Sequence, residues 1–375
     1  MRILVCAGGT GGGIYPALAA VTALEKQGVN RDHVLWIGTQ GEMEEDLVPR
    51  AQIRLETIRG GAIVGVPPHV MAWNGIKLGV SVGKAWQIIG RFRPDVMFMT
   101  GGYVAAPVSL ASRLRQVPIV IYLPDVEPGS TIRFAMRFAH TVASTTEGSR
   151  QFVPADKLVV TGYPVRPELR AALALTKEEA LAQFALTPKR PTLFVFGGSR
   201  GAWNINKALM AILPHLLEQL QVIHISGTLT WPQVSANAES LPEPLRAYYR
   251  PYPYLHEEMG AAFRAADLVV ARAGASMLGE CPAFGVPAIL IPLAFAWRYQ
   301  KVNADFLTER GAAIQLRDEE LTEKLLPAIQ SLMENSEKLA QMRAAMQSLD
   351  VPDAADRLAQ VILNVAHNAP QEVHG

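Results

Sequence analysis

The sequence predicts an α/β protein made of two doubly wound halves. Short apolar runs of strand length alternate with helical segments along the chain, which is typical of parallel strands joined by helical crossovers. A strand, a glycine-rich turn and a helix follow one another at Arg2–Gln27, and the same order returns from Pro191. The length of 375 residues exceeds what one hydrophobic core usually serves. We therefore expect two domains, each opening on a strand and a glycine turn.

Composition excludes several classes of protein. The chain is 49% hydrophobic and 18% charged with a formal net charge of +1, which argues against a general nucleic-acid binder. Cys6 and Cys281 lie far apart in apolar segments, so reduced core thiols and a cytosolic setting are expected rather than a disulfide. No apolar run is long enough to span a bilayer, and the first residues form a strand rather than a signal peptide.

The first half begins with the strand Arg2–Ala7, the glycine-rich turn Ala7–Pro16 and the apolar helix Ala17–Gln27. The glycines would let backbone amides face an anion at the start of the helix, although a turn of this kind can also be purely structural. The other strands predicted in this half are Val34–Gly38, Asp95–Met99, Pro118–Tyr122, Thr141–Ala143 and Leu158–Val160. Two more helices are predicted, one that begins at Glu42 and one that spans Pro107–Leu114.

Two segments of this half carry candidate functional residues. Asp125 and Glu127 stand in a turn after Pro118–Tyr122, where ligands bind in open parallel sheets, but such acids also stabilise turns. Gly60–Pro94 combines apolar residues and two tryptophans with four basic residues and has no acid, which favours a surface resting on anionic lipid. A core-facing helix with a solvated basic side explains that composition equally well.

Two prolines and a glycine within Gly162–Pro167 predict a hinge. We expect an N-terminal domain at 1–163, a C-terminal domain at 164–350 and a final helix at 351–375 that packs back on the N-terminal domain. A ligand is expected in the cleft between the carboxyl ends of the two sheets.

The second half contains a candidate nucleotide site at Asp267–Pro287. The strand Asp267–Ala271 leads through Gly274 into a predicted helix, Ser276–Ala283, and then into the strand Ala288–Pro292. Glu280, about two turns inside that helix, could accept hydrogen bonds from the two hydroxyls of a ribose. The alternative is an ordinary strand–helix–strand unit with a surface glutamate.

Other residues of this half could contact a phosphate or a sugar. Ser199 and the amides of the turn after the strand Pro191–Phe196 could hold a phosphate. Gln300 and Asn303 share a helix face and could bind sugar hydroxyls, or could be surface amides. The remaining predicted elements are a helical connection at Arg170–Leu186, a helix from Asn204, a strand at Val222–Ser226 and helices at Glu257–Ala266 and Asp353–Ala366.

Six motifs together resemble the MurG family of peptidoglycan glycosyltransferases, glycosyltransferase family 28. They are GGTGGGIYP, TGGYVAAP, GYPVR, GGSRGAWNIN, RAGASMLGE and YQKVNA, in the family's order and spacing. The resemblance spans the chain from about residue 2 to 366. The resemblance implies the GT-B fold, two Rossmann-like domains facing each other across a cleft. It also implies transfer of N-acetylglucosamine, with inversion, from UDP-N-acetylglucosamine to lipid I, an undecaprenyl-diphosphate-linked acceptor, giving lipid II. No metal or other cofactor is expected, and the protein would lie peripherally on the cytoplasmic face of the membrane.

The resemblance also implies substrate-binding roles. For the acceptor diphosphate and donor it points to Thr10, Gly11, Gly12 and Gly13, and for the donor diphosphate to Arg166 and Ser199. For the ribose it points to Glu280, for the sugar and nearby diphosphate to Ala275 and Ser276, for the sugar hydroxyls to Tyr299, Gln300 and Asn303, and for uracil to a backbone group of Leu255 or His256.

The chain departs from the family pattern on the acceptor side. Gly13 stands where the family has His, and Asp125 stands where the family has a sugar-contacting Asn. Tyr299 replaces a His or Gln. Because Gly13 offers no base, we predict that Asp125 or Glu127 is catalytic, with Asp125 preferred; alternatively Asp125 only binds a sugar hydroxyl. A different acceptor, a non-catalytic UDP-sugar sensor, and an epimerase or hydrolase stay open, although Gly60–Pro94 argues against the last two enzymes.

Overall fold

The computed structural model describes residues 1–9, 11–59, 68–198, 201–293 and 297–368, without the side chains of 68–78 and 297–298. The chain forms two compact units. Unit 1 comprises Met1–Arg166 and the chain from Asp353 onward, and unit 2 comprises Pro167–Pro352. The division after Arg166 lies inside the predicted hinge.

Unit 1 is built on a seven-stranded parallel sheet with the strand order β3-β2-β1-β4-β5-β6-β7. Its strands are β1 Ile3–Cys6, β2 Val34–Thr39, β3 Arg54–Ile58, β4 Val96–Met99, β5 Ile119–Leu123, β6 Thr141–Ser144 and β7 Leu158–Val160. Its first five helices are α1 Gly11–Lys26, α2 Glu44–Arg50, α3 Pro68–Phe92, α4 Ala105–Leu114 and α5 Ser130–Ala135. The central strands are apolar throughout because both faces of the sheet are covered.

The predicted start of the first helix at Ala17 is wrong. Helix α1 begins at Gly11, inside the glycine run, and includes Pro16. Gly13, Ile14 and Ala17 are buried, so packing against the sheet overrides the poor helix propensity of the glycines.

Unit 2 repeats the architecture with a six-stranded parallel sheet in the order β10-β9-β8-β11-β12-β13. Its strands are β8 Thr192–Phe196, β9 Gln221–Ile225, β10 Tyr249–Tyr252, β11 Leu268–Ala271, β12 Ala288–Leu290 and β13 Ala313–Gln315. Its helices are α6 Pro167–Ala171, α7 Lys177–Ala182, α8 Trp203–Gln219, α9 Trp231–Ser240, α10 Glu243–Arg246, α11 Met259–Ala265, α12 Glu280–Phe284, α13 Trp297–Glu309, α14 Leu321–Met333 and α15 Ser336–Gln347. Both sheets change winding direction beside their first strand, the position at which such folds bind ligands.

The single helix predicted at Ser276–Ala283 is also wrong. A 3-10 turn at Ala275–Leu278 ends at Gly279, and α12 begins at Glu280. In a continuous helix the nitrogen of Pro282 would face the carbonyl of Leu278, and proline can neither donate that bond nor avoid the clash. Glu280 therefore lies at the start of a helix, where the helix dipole favours a carboxylate.

The final helix, α16 Ala354–Asn368, belongs to unit 1 and packs against α1. Its apolar face, including Leu358 and Ile362, joins the core that also contains Trp36. Cys6 and Cys281 are free and buried, which confirms the prediction of reduced core thiols, and burial raises the pKa of both thiols. Among the described residues, no helix has the length and apolarity required to cross a membrane.

Candidate active site

In unit 1, the loops after β1 and β4 pack against each other at the topological switch point, where the winding direction of the sheet changes between these two strands. Thr100 Oγ1 donates a hydrogen bond to the carbonyl of Gly13 at 2.9 Å. Gly102 has φ +96°, and a Cβ there would lie 3.0 Å from the carbonyl oxygen of Gly8. The fold thus brings the GGTGGG and TGGY motifs together. Gly11, Gly12 and Gly13 form the first turn of α1, while Thr10 lies outside the described residues.

Arg166, the last residue before unit 2 begins, lies beside the same loops. The guanidinium of Arg166 stacks on the ring of Tyr15, 4.2 Å from its centroid. The ring in turn lies over Gly11, where a Cβ would be 2.9 Å from Tyr15 Cε2. A cation and the N-terminus of α1 therefore meet, and both favour an anion such as a diphosphate.

The two candidate catalytic carboxylates differ in their surroundings. Glu127 is 2% exposed, and its carboxylate is 2.5 Å from a guanidinium nitrogen of Arg133. Arg133 also donates to the carbonyl of Pro128, so this ion pair holds the turn together. Asp125 is only partly buried. Of the two, Asp125 is better suited to meet a substrate.

Tyr122, near the end of β5, is fully buried. Its hydroxyl is 2.7 Å from Thr145 Oγ1 and donates to the carbonyl of Gly162. Burial raises the pKa of this phenol well above its usual range. Tyr122 therefore joins the end of β5 to the GYPVR segment and is unsuited to proton transfer.

In unit 2, a buried polar network lies behind the glycine turn that follows β8. Asn206 donates to the carbonyl of Ser226 at 2.8 Å, and its amide oxygen is 3.0 Å from Nε2 of His224. His224 Nδ1 is 2.7 Å from the hydroxyl of Tyr249, and burial lowers the pKa of this imidazole to about 3. Gly201, with φ +79°, packs directly on the Ser226 carbonyl, where a Cβ would lie 2.2 Å away. The network thus packs against Gly201, while Ser199 lies outside the described residues.

Glu280 is 7% exposed, so the alternative of a surface glutamate is wrong. Burial, together with the charge of the Glu280 carboxylate, raises the pKa of the neighbouring Cys281 thiol. Ala275 is buried and Ser276 is half-buried in the 3-10 turn before it. A buried carboxylate at a helix start, next to a turn at the carboxyl end of β11, is suited to bind vicinal hydroxyls.

The amide pair of α13 holds the loops beside it. Asn303 is fully buried and donates to the carbonyl of Ala273 at 3.1 Å, so the surface alternative is wrong for this residue. The Oε1 of Gln300 accepts the amide hydrogen of Leu293 at 2.8 Å. Tyr299 and Gln300 are half-buried. These contacts place α13 against the loops that follow β11 and β12.

At the predicted uracil position, Leu255 is buried and His256 is exposed. The amide of His256 donates to Oε2 of Glu258 at 3.3 Å. Because this contact occupies the His256 amide, the arrangement favours Leu255 as the residue whose backbone meets a base.

The sequence analysis missed an ion-pair cluster in unit 2. It links the residue after β11 to α8 and to Asp318. Arg272, directly after β11, pairs with Asp318 at 2.7 Å, and both side chains are nearly buried. Asn204 of α8 donates to the same carboxylate at 3.1 Å. Arg272 also donates to the carbonyl of Ile291. The only sequence feature that hinted at this cluster is the position of Arg272 at a strand end.

The predicted membrane segment Gly60–Pro94 is described only in part, since 60–67 and the side chains of 68–78 lie outside the description. In the described part of α3, Ile88 and Ile89 are buried against the sheet, while Val80 and Trp86 are exposed. Arg91 pairs with Glu56 at 2.6 Å. This half of the helix is therefore anchored to unit 1 and still presents apolar side chains to solvent.

Comparison with known proteins gives a family. The model of the glycosyltransferase family 28 N-terminal domain matches residues 3–144, and that of the C-terminal domain matches residues 192–358. The chain belongs to glycosyltransferase family 28. The two matched regions lie in unit 1 and, apart from the first residues of α16, in unit 2.

Relatives of this family 28 chain match it along nearly its whole length. A protein of Roseiflexus sp. (strain RS-1), named UDP-N-acetylglucosamine–N-acetylmuramyl-(pentapeptide) pyrophosphoryl-undecaprenol N-acetylglucosamine transferase, is 38% identical over 96% of this chain and 94% of that protein. The crystal structure of MurG from Acinetobacter baumannii is similar with TM-score 0.75 and 25% identity, covering 97% of this chain and 99% of the other. The GT-B expectation of two Rossmann-like domains is thereby confirmed.

A UDP-GlcNAc 2-epimerase from Neisseria meningitidis, solved with UDP-GlcNAc bound, is similar with TM-score 0.67 but only 13% identity, covering 97% of this chain and 100% of the other. This likeness concerns the fold alone. It does not favour the epimerase alternative over a transferase.

Proposed function

We propose that this chain transfers N-acetylglucosamine, with inversion, from UDP-N-acetylglucosamine to lipid I, giving lipid II. The observation that carries the proposal is the 38% identity, over 96% of the chain, to a relative whose name states this donor and acceptor. The two glycine turns at the switch points supply the expected anion-binding positions in both units.

Unit 2 would bind the donor. The buried carboxylate of Glu280 would accept hydrogen bonds from the ribose hydroxyls, and a backbone group of Leu255 would meet uracil. The sugar and diphosphate would lie by the turns that the buried network and α13 hold in place. The residues proposed for that contact are Ser199, Ala275, Ser276, Tyr299, Gln300 and Asn303.

Unit 1 would bind the acceptor and activate it. The first turn of α1 would face the acceptor diphosphate, and Asp125 would take the proton of the attacking hydroxyl. The hydroxyl oxygen then bonds to C1 of the sugar as the bond to UDP breaks, and Arg166 stabilises charge on the leaving diphosphate. The ion pair of Glu127 with Arg133 supports Asp125 as the base of choice.

The chain would work at the cytoplasmic face of the membrane, held peripherally on anionic lipid through Gly60–Pro94. Exposed Val80 and Trp86 on α3 support this placement. A lipid-linked acceptor requires such contact, whereas a soluble epimerase does not.

The test is incubation of the purified chain with labelled UDP-N-acetylglucosamine and a lipid I analogue in anionic vesicles. A labelled disaccharide lipid together with UDP is the expected outcome. UDP without lipid product would indicate a hydrolase, an isomerised sugar nucleotide an epimerase, and binding without any product a sensor. Each of these three results would contradict the proposal.

A further inference from the structure

A fully buried carboxylate lies directly behind the glycine loop of unit 1. Glu44, the first residue of α2, has no exposed surface. Its Oε1 accepts the amide hydrogen of Thr39 at 2.7 Å, and its Oε2 accepts the amide hydrogen of Gly9 at 3.3 Å. One side chain thus binds the loop after β1 and the end of β2 at the same time.

Two glycines leave the space that this side chain occupies. A Cβ at Gly8 would lie 2.2 Å from Oε1 of Glu44, and a Cβ at Gly38 would lie 2.5 Å from its Cγ. Any larger residue at either position would displace the carboxylate. The absence of a side chain in the loop after β1 and at one position of β2 is therefore matched to the path of Glu44 towards Gly9.

Such a burial has an energetic cost that the two amides offset. A carboxylate removed from water loses the favourable free energy of its hydration, and hydrogen-bond donors must replace the solvent to offset that loss. Hydrogen bonds from amides to a charged acceptor are stronger than neutral ones. Gly9 has φ +84° and so lies in a region that glycine enters without strain but also leaves easily. The contact with Glu44 selects one conformation of this flexible residue.

We propose that Glu44 is a positioning residue for acceptor binding. By holding the Gly9 amide towards the sheet, it sets the path of the loop into α1, so that the amides of Gly11–Gly13 face outward to the acceptor diphosphate. Glu44 does not touch substrate and acts through the loop. The inference rests on the proposed function, because it assigns this loop to the acceptor side. It predicts an effect on acceptor binding that is separable from donor binding in unit 2.

The test compares Glu44→Gln with Glu45→Gln, which alters the exposed acid next to it on α2. The Gln side chain keeps the size but replaces one acceptor oxygen by an NH₂ group that faces an amide donor. We expect the KM for the lipid I analogue to rise about tenfold in Glu44→Gln, with the KM for UDP-N-acetylglucosamine within about twofold of the parent. Glu45→Gln should keep both values. An unchanged acceptor KM in Glu44→Gln, or equal rises in both KM values, would overturn the inference.

Two further measurements cover the remaining cases. If Glu44→Gln does not fold, Glu44→Asp keeps the charge with a shorter reach, and its acceptor KM should still rise; a parental value would overturn the inference. If the parent makes no disaccharide lipid, the proposed function fails, and hydrogen exchange of the loop peptide 8–13 then tests Glu44 alone. Faster exchange in Glu44→Gln than in Glu45→Gln is expected, and equal exchange would refute the role.

Discussion

The buried imidazole of His224 should make unit 2 sensitive to acid. Burial lowers the pKa of His224 to about 3 in the folded protein, against an ordinary value of 6.5. The unfolded chain therefore binds a proton below about pH 6.5, whereas the folded chain does not do so until the pH approaches 3. The stability associated with neutral His224 is fully present above pH 6.5 and is lost as the pH falls towards 3. At about 1.36 kcal/mol per pH unit, the loss between pH 7 and pH 5 is about 2 kcal/mol.

The loss can be measured on unit 2 itself. Urea unfolding is followed at pH 7 and pH 5 by brief hydrogen-exchange pulses at one fixed pH, reading the peptides of β8 and β9. The comparison is between the parent, His224→Gln and His215→Gln, which changes an exposed histidine of the neighbouring helix α8. The parent and His215→Gln should lose about 2 kcal/mol more than His224→Gln on acidification.

Equal losses in the parent and His224→Gln would refute this reasoning. If His224→Gln does not fold, the imidazole resonance of His224 in the parent decides the question. A titration midpoint near 6.5 would show that the ring is hydrated and that the network with Asn206 and Tyr249 does not exclude its protonation.

Three further predictions concern the proposed site. Glu280→Gln should weaken UDP binding, measured by calorimetry, about 10- to 100-fold, because hydrogen bonds to a charged group contribute about 1.5–3 kcal/mol. An affinity equal to that of the parent would refute the proposal that unit 2 binds the donor through Glu280. Asp125→Asn should lower kcat about 10²- to 10⁴-fold with the donor KM nearly kept, and near-parental kcat would leave Asp125 only a sugar-binding role. Tyr15→Leu should lower kcat/KM about tenfold through the loss of its stacking with Arg166, whereas Tyr15→Phe, which keeps the aromatic ring, should lower it less. Equal values for the two Tyr15 variants would argue against that stacking contribution.

Local pattern was sufficient to predict the fold class and the region in which the chain passes from one unit to the other. The inner strands of both sheets are buried on both faces, so each appears in the sequence as a short continuous apolar run. The edge strands β3, β10 and β13 were missed, because half-exposed strands contain polar residues such as Glu56, Arg250 and Gln315 that weaken this pattern. The motif resemblance, confirmed by the family match, identified the candidate site residues, but their roles stay predictions.

By itself, then, the sequence determined the alternation of strands and helices, the two glycine turns and the family. Only the tertiary structure decided which polar side chains are buried and what they hold. Glu44 is one of several acids at a helix start and contacts a glycine 35 residues away; His224 and Asn206 lie on different elements. Glu280 is buried at the first position of α12, because Gly279 and Pro282 interrupt the single helix that periodicity predicted. The physical reason is that the winding of the sheet brings together loops far apart in sequence, and local sequence patterns do not predict such contacts.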